Sequence, residues 1–186
     1  MTITVNPSIK LKQLELSDAP DIFRIIDSQR EYLRKWLPFV DYTKEVTDTR
    51  LFIISTLDTP EKSRELTFVI HLNGKFVGLI GFKDTDKSNK KTEIGYWLSE
   101  EYQKRGIVTQ SVKRLMELAF EELGINRIQI KCATGNLPSK SIPQRLGFTL
   151  DGVERDGELL SDGVFTDLDV YSMLKSDFKK LKYREP

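Results

Sequence analysis

The sequence predicts a mixed α/β (α+β) domain, with a central mixed, mostly antiparallel sheet and helices packed on its faces. Three observations carry this reading. Alternating apolar runs flank Asn73-Gly74, the signature of a tight hairpin. Val108, Val112, Leu115, Ala119 and Leu123 recur at helical spacing. From Arg127 onward, segments of strand and helix periodicity follow one another to the C-terminal end. A length of 186 residues suits one domain with a substantial core, so residues 1–186 are read as one domain.

Taken in order, Ile9 to Leu14 alternates as a short strand, and Asp18 offers a cap to the helix that follows. That helix carries Ile22, Phe23, Ile25 and Ile26 and continues toward Leu33, Trp36 and Leu37, where Pro38 ends or kinks it. A second helix is predicted from about Val46 to Leu57, with Leu51, Ile54 and Leu57 as its apolar side and Pro60 beyond it. Leu66 to Leu72 and Phe76 to Phe82 form an antiparallel pair around Asn73-Gly74. A polar stretch leads to the strand Glu93 to Leu98, whose period of two sets Glu93, Gly95 and Trp97 opposite Ile94, Tyr96 and Leu98. A long helix starts at Ile107 and closes at Gly124. Arg127 to Ala133 is a strand, Pro138 opens a short helix that ends at Gly147-Phe148, and two strands flank Asp162-Gly163 before a charged terminal helix.

Composition narrows the function. Hydrophobic residues at 39% and charged residues at 31% suit a packed globular core rather than a disordered chain. Twenty-nine Lys and Arg against 28 Asp and Glu leave +1, so no global field favours nucleic acid or an anionic membrane as partner. A site for an anionic ligand must be local. The lone Cys132 has no internal disulfide partner, and Met1 to Thr4 lacks the charged and apolar blocks of a secretory signal, which predicts a cytoplasmic address.

The most informative stretch is Gln103-Lys104-Arg105-Gly106-Ile107-Val108-Thr109, between a strand end and a long helix. Backbone N–H groups at a helix start lack intrahelical partners and, with the positive dipole end, can hold a diphosphate. Gly106 permits close approach, and Lys104 and Arg105 add cationic donors. A solvated basic turn is the alternative reading of the stretch alone. Other chemistries lack material: no Gly-Lys-Ser/Thr loop occurs, and a single His71 inside a strand leaves neither a metal cluster nor a Ser-His-Asp set. No metal is expected. Cys132 sits at the inward parity of its strand and reads as a buried thiol.

On these residues the chain resembles the GNAT superfamily of N-acetyltransferases, whose diphosphate loop has the form Gln/Arg-x-x-Gly-x-Gly/Ala; here Val108 replaces the small residue. Asn136-x-x-Ser139 followed by Leu146-Gly147-Phe148 matches a second block of that family. Leu33 to Pro38, Glu93 to Leu98 and Asn136 to Phe148 resemble the RimJ/RimL-type ribosomal-protein N-terminal acetyltransferases, over nearly the whole chain from Ile9 to Leu174. The resemblance implies acetyl-CoA as cosubstrate, its arm along the strand ending at Trp97 and Leu98, its diphosphate on Gln103 to Thr109, and Asn136 beside it. It further implies direct attack of an amine on the thioester, with Glu93 as base, Ser139 as hydrogen-bond or proton donor to the departing thiolate, and a backbone N–H near Leu98 for the developing oxyanion. The tyrosine many relatives use as acid is missing, since the corresponding segment reads Ser141-Ile142-Pro143-Gln144. For three residues a plainer role stands beside the implied one: Glu93 as a solvent-facing strand residue, Ser139 as a helix cap and Asn136 as a turn residue.

The expected acceptor is a protein N-terminus or, alternatively, a small amine such as a polyamine, aminoglycoside or amino acid. A third reading is an acetyl-CoA-binding regulatory module without turnover. The acidic segment Asp151 to Asp169 would attract a cationic acceptor if it borders the groove, and is otherwise a solvated hairpin. Trp36 and Phe39 are weighted toward core over groove. The resemblance implies a homo-oligomer, a dimer or larger.

Overall fold

The structure, a computed structural model, describes residues 1–58 and 65–182. The alternating runs form β1 (Thr2–Thr4), β2 (Ile9–Gln13), β3 (Thr67–Leu72), β4 (Lys75–Asp86), β5 (Lys91–Leu98), β6 (Arg127–Ala133), β7 (Thr149–Leu159) and β8 (Phe165–Leu174). They make one sheet in the order β1-β2-β3-β4-β5-β6-β8-β7, antiparallel except where β5 lies beside β6. The helices are α1 (Ala19–Ser28), α2 (Arg30–Leu33), α3 (Val46–Leu57), α4 (Ile107–Glu117), α5 (Leu137–Arg145) and α6 (Lys175–Lys182). This is the predicted mixed α/β class.

Strand alternation divides the core between the two faces of the sheet. Val69 and Leu79 join Ile22, Ile26 and Ile53 of α1 and α3. Phe68, Ile80, Ile94 and Ile128 join Val112, Leu115 and Phe120 of the long helical segment on the other face. Each helix thus covers one face because its apolar stripe has only that surface to bury against.

Several local expectations change. The three-residue β1, with Ile3 as its one buried side chain, was not anticipated; its hydrogen bonds to β2 make it a strand. Asp18 stands at the N-cap of α1 as expected, but its side chain makes no cap hydrogen bond: its carboxylate accepts from the Glu15 N–H at 2.9 Å and the Lys12 ammonium at 2.8 Å. The helix expected to run toward Leu37 breaks at Gln29, whose side chain donates to Ser99 Oγ and accepts from the Glu100 N–H, both at 2.9 Å. In α3 the inward residues are Thr49 and Ile53, while Leu51 and Ile54 are 59% and 39% exposed, because α1 packs on the Thr49–Ile53 side. The boundary assigned to Pro60 lies outside the described residues. After Glu117 the long helix passes into a π-helical turn, Leu118–Glu122. The extra residue per turn rotates the stripe, so Phe120 is fully buried and Leu123 faces solvent. Gly124, at φ +69°, closes the element as predicted.

Candidate active site

The site begins with an interrupted ladder. β5 and β6 pair only at Lys91–Arg127, Thr92–Ile128 and Glu93–Gln129. Beyond Glu93, β5 stays on β4 and β6 stays on β8, so the two parallel neighbours part. Gly78 helps to hold β5 there: a Cβ at this β4 position would collide with the Trp97 carbonyl. The mouth of the gap faces the start of α4, where Gly106 is the N-cap at φ +71°, a left-handed conformation suited to glycine. The N–H groups of Ile107, Val108 and Thr109 lack intrahelical acceptors, and the helix dipole adds positive potential.

A cavity of about 610 Å³ fills this region. All ten residues expected to bind the cosubstrate line it: Trp97, Leu98, Gln103, Lys104, Arg105, Gly106, Ile107, Val108, Thr109 and Asn136. Their side chains are not equally available. Gln103 donates through Nε2 to the Tyr32 hydroxyl and so ties the loop to α2. Arg105 donates to the Glu101 carbonyl at 3.0 Å and lies 5.2 Å over the Tyr102 ring. Arg145, which sequence reasoning did not single out, reaches in from α5 and donates to Thr109 Oγ1 at 3.1 Å. A basic residue just before Leu146-Gly147-Phe148 was the only signal, and it gains meaning once α5 lies beside α4. Asn136 is the N-cap of α5, its side chain accepting from the Ser139 N–H at 3.3 Å, so the cap is Asn136 rather than Ser139. Asn136→Ala should therefore lower stability by about 0.5–2 kcal/mol, read as a fall in the denaturation midpoint; an unchanged midpoint would deny the cap its weight.

A second cavity, about 680 Å³, opens on the other side of β5. Phe39, Phe52, Lys83, Glu93, Lys131 and Glu158 are among its walls. Glu93 is only 4% exposed, so it is not the solvent-facing strand residue. Its Oε1 lies 2.8 Å from Lys83 Nζ, and its Oε2 accepts from Gln129 Nε2 at 3.2 Å. Burial alone would lower the Lys83 pKa, but its hydrogen bond to Glu93 and that carboxylate's charge outweigh it and hold the pKa above the usual lysine value.

The two cavities share Leu37, Tyr96, Trp97 and Ser139. Here the Tyr96 hydroxyl lies 3.3 Å from Ser139 Oγ and donates to the Ser139 carbonyl at 3.2 Å. Ser139 Oγ is also 3.2 Å from the Cys132 sulfur. Burial, the largest influence, drives the Tyr96 pKa well above its ordinary value, so the phenol stays protonated. Burial likewise raises the Cys132 thiol, which is 3% exposed, in keeping with an inert core cysteine. Tyr96 escaped the sequence reading because its strand parity marks it only as inward-facing.

Trp36 and Phe39 depart from their expected weighting toward core: Trp36 lines the first cavity, and Phe39, 41% exposed, lines the second. Most acidic residues of the β7–β8 hairpin are not aimed at the groove. Asp151 pairs with Arg127 at 2.6 Å, Glu154 with Lys131 at 2.7 Å, and Asp169 with Lys140, whereas Glu158 does reach the groove. Among the described residues, no group of three or more His, Cys, Asp or Glu could hold a metal ion, and no helix is long and apolar enough to cross a membrane.

Comparison with known proteins agrees with this geometry. A family model described as "Acetyltransferase (GNAT) domain" matches residues 8–149. The Bacillus subtilis (strain 168) protein YdaF is 35% identical over 181 residues, covering 96% of this chain and 97% of its own length. A solved structure of RimL, a ribosomal L7/L12 alpha-N-protein acetyltransferase in complex with coenzyme A, superposes with a TM-score of 0.90 at 25% identity, covering 95% of this chain and 99% of that one. The microcin C7 self-immunity acetyltransferase MccE, solved with acetyl-CoA and AMP, gives a TM-score of 0.86 at 30% identity, over 92% of this chain and 95% of that one.

Proposed function

Because this chain belongs to the GNAT acetyltransferase family and is an N-acetyltransferase of the RimJ/RimL type, we propose that it transfers the acetyl group of acetyl-CoA to the N-terminal α-amine of a protein, a ribosomal protein being the favoured class. The observation that carries this reading is the meeting of two cavities at the parted strands, one rich in anion-binding groups and one containing carboxylates. RimL, whose substrate class this is, matches the chain over nearly its full length.

In this reading the diphosphate of the cosubstrate rests on the first-turn N–H groups of α4, with Lys104, Arg105 and Arg145 supplying cationic donors. The arm runs through the gap along Trp97 and Leu98, and a backbone N–H near Leu98 meets the thioester oxygen. The amine enters through the second cavity. Holding the two reactants at attack distance supplies much of the acceleration, with effective molarities of about 10⁵–10⁸ M in favourable systems. Glu93 takes the amine's proton, through a water where needed, oriented by Lys83 and Gln129. The nitrogen adds to the carbonyl carbon, the resulting oxyanion collapses with loss of the C–S bond, and the Ser139 hydroxyl, which donates to the Tyr96 hydroxyl in the free protein, turns its proton to the departing thiolate.

One observation favours a second base. Both oxygens of Glu93 are already engaged, whereas Glu158 lines the same cavity from β7 and is felt by Lys83 through its charge.

Thiol release from acetyl-CoA should be measured across N-terminal peptides, free lysine, polyamines and aminoglycosides, with mass spectrometry locating the acetyl group. Selective α-amine acetylation of peptides is expected. Turnover confined to small amines would replace the acceptor assignment, and failure to release thiol with any amine would leave a binding module.

A further inference from the structure

We propose that Leu37, with Trp97, sets the length of the acyl group this enzyme transfers, a role that rests on the two-cavity reading above. The donor arrives through one cavity and the amine through the other, so the carbonyl carbon must lie among the residues common to both. These are Leu37, Tyr96, Trp97 and Ser139. They divide by chemistry. Tyr96 and Ser139 present hydroxyls within 3.3 Å of one another, suited to the sulfur side of the thioester. Leu37 and Trp97 present hydrocarbon and an aromatic ring, and both pack against the core cluster under α1 and α3. The acyl methyl therefore lies against Leu37 and Trp97.

A wall selects by size only if it does not move, and both of these are braced. The Leu37 N–H donates to the Leu33 carbonyl at 3.0 Å, and the Leu37 carbonyl accepts from the Val40 N–H at 3.1 Å. Pro38, with its ring-locked φ, follows at the start of the 3-10 turn Pro38–Asp41. Two arginines staple that turn to α2 and its C-terminal extension: Arg30 donates to the Val40 carbonyl at 3.0 Å and the Thr43 carbonyl at 2.6 Å, and Arg34 grips both oxygens of Asp41 at 3.0 and 3.1 Å. On the other flank, the Trp36 ring lies so close to Gly135 that a Cβ there would be 3.1 Å from it. Trp97 meets Phe76 edge-on, with centroids 5.9 Å apart at 77°. An acyl chain longer than acetyl must pass Leu37 into the cavity through which the amine arrives, and so obstructs its own acceptor.

The test compares acetyl-CoA, propionyl-CoA and butyryl-CoA as donors with one peptide acceptor. In the unmodified enzyme, kcat/KM should fall steeply from acetyl to propionyl. Leu37→Ala should raise the propionyl-to-acetyl ratio by about 10- to 200-fold, the range that one methylene commands in an apolar pocket. Leu37→Val should raise it less, and Leu37→Met should leave it near the native value. The ratio is taken within each variant, so a lowered active fraction cancels; Leu37→Val supplies the reading if the alanine variant does not fold. A ratio unchanged in the folded truncation while acetyl transfer persists overturns the role of Leu37. Absence of acetyl transfer to any amine by the unmodified enzyme would instead overturn the function on which this inference rests.

Discussion

Gly106→Glu is expected to abolish acetyl-CoA binding while leaving the domain folded. Space is not the obstacle, because a Cβ at Gly106 would meet nothing closer than Gln110 Nε2 at 3.4 Å. Two other effects act. At φ +71° an L-residue is disfavoured by about 1–2 kcal/mol, which most domains survive. A carboxylate at the N-cap is favourable for α4 itself, since it faces the positive dipole end and the free N–H groups of the first turn. That same placement occupies the donors assigned to the diphosphate and repels it. Gly106→Ala carries the strain without the charge and should retain binding, weakened by no more than about tenfold, the factor that 1.4 kcal/mol represents. Calorimetry decides the matter. Micromolar affinity surviving in the folded glutamate variant would remove the loop from the cosubstrate site.

The second large effect concerns the proton. An α-amine with a pKa of about 7.7–8.0 is mostly protonated at pH 6–7, and only its neutral form attacks. Without a general base, kcat/KM follows the neutral fraction and drops about tenfold for each pH unit below that pKa; with one, the loss at low pH is partly offset. Glu93→Gln should therefore lower kcat/KM by about 10²–10⁴-fold near pH 6 and by progressively less as the pH passes 8. Glutamine keeps the shape and one acceptor oxygen for Lys83, although it forfeits the ion pair. Glu158→Gln is the companion variant: if its profile steepens while that of Glu93→Gln stays parallel to the native one, the base is Glu158. A variant profile parallel to the native one in both cases would leave catalysis to positioning alone.

Much of the fold was legible where short-range physics decides it. Asn73-Gly74 dictates a hairpin, and Gly106, Gly124 and Gly147 all take positive φ at the element boundaries read from the sequence. What escaped depended on partners distant along the chain. β1 is a strand only because β2 lies beside it, and the choice of Thr49 over Leu51 as an inward residue of α3 belongs to α1. Leu123 turned outward because a π turn altered a period that the sequence pattern takes as constant. The site shows the same division. The loop Gln103 to Thr109 is contiguous and could be read directly, whereas the Lys83–Glu93 pair requires the register of β4 on β5, and the Tyr96–Ser139 contact spans 43 positions. Leu37 was visible as an apolar residue before a proline, inside a segment that carries the family resemblance; its place between two cavities is a property of the assembled helices and sheet.

Only three rungs join β5 to β6, and they stand at one end of both strands. The domain is thus an arch whose keystone is borrowed: under the proposed reaction, the polar backbone edge bared by the missing rungs finds its partner in the cosubstrate's own amide-bearing arm. The arm keeps that place after the acyl group has left it, so it is departure of the spent thiol, not acyl transfer, that loosens the span, and reloading restores it.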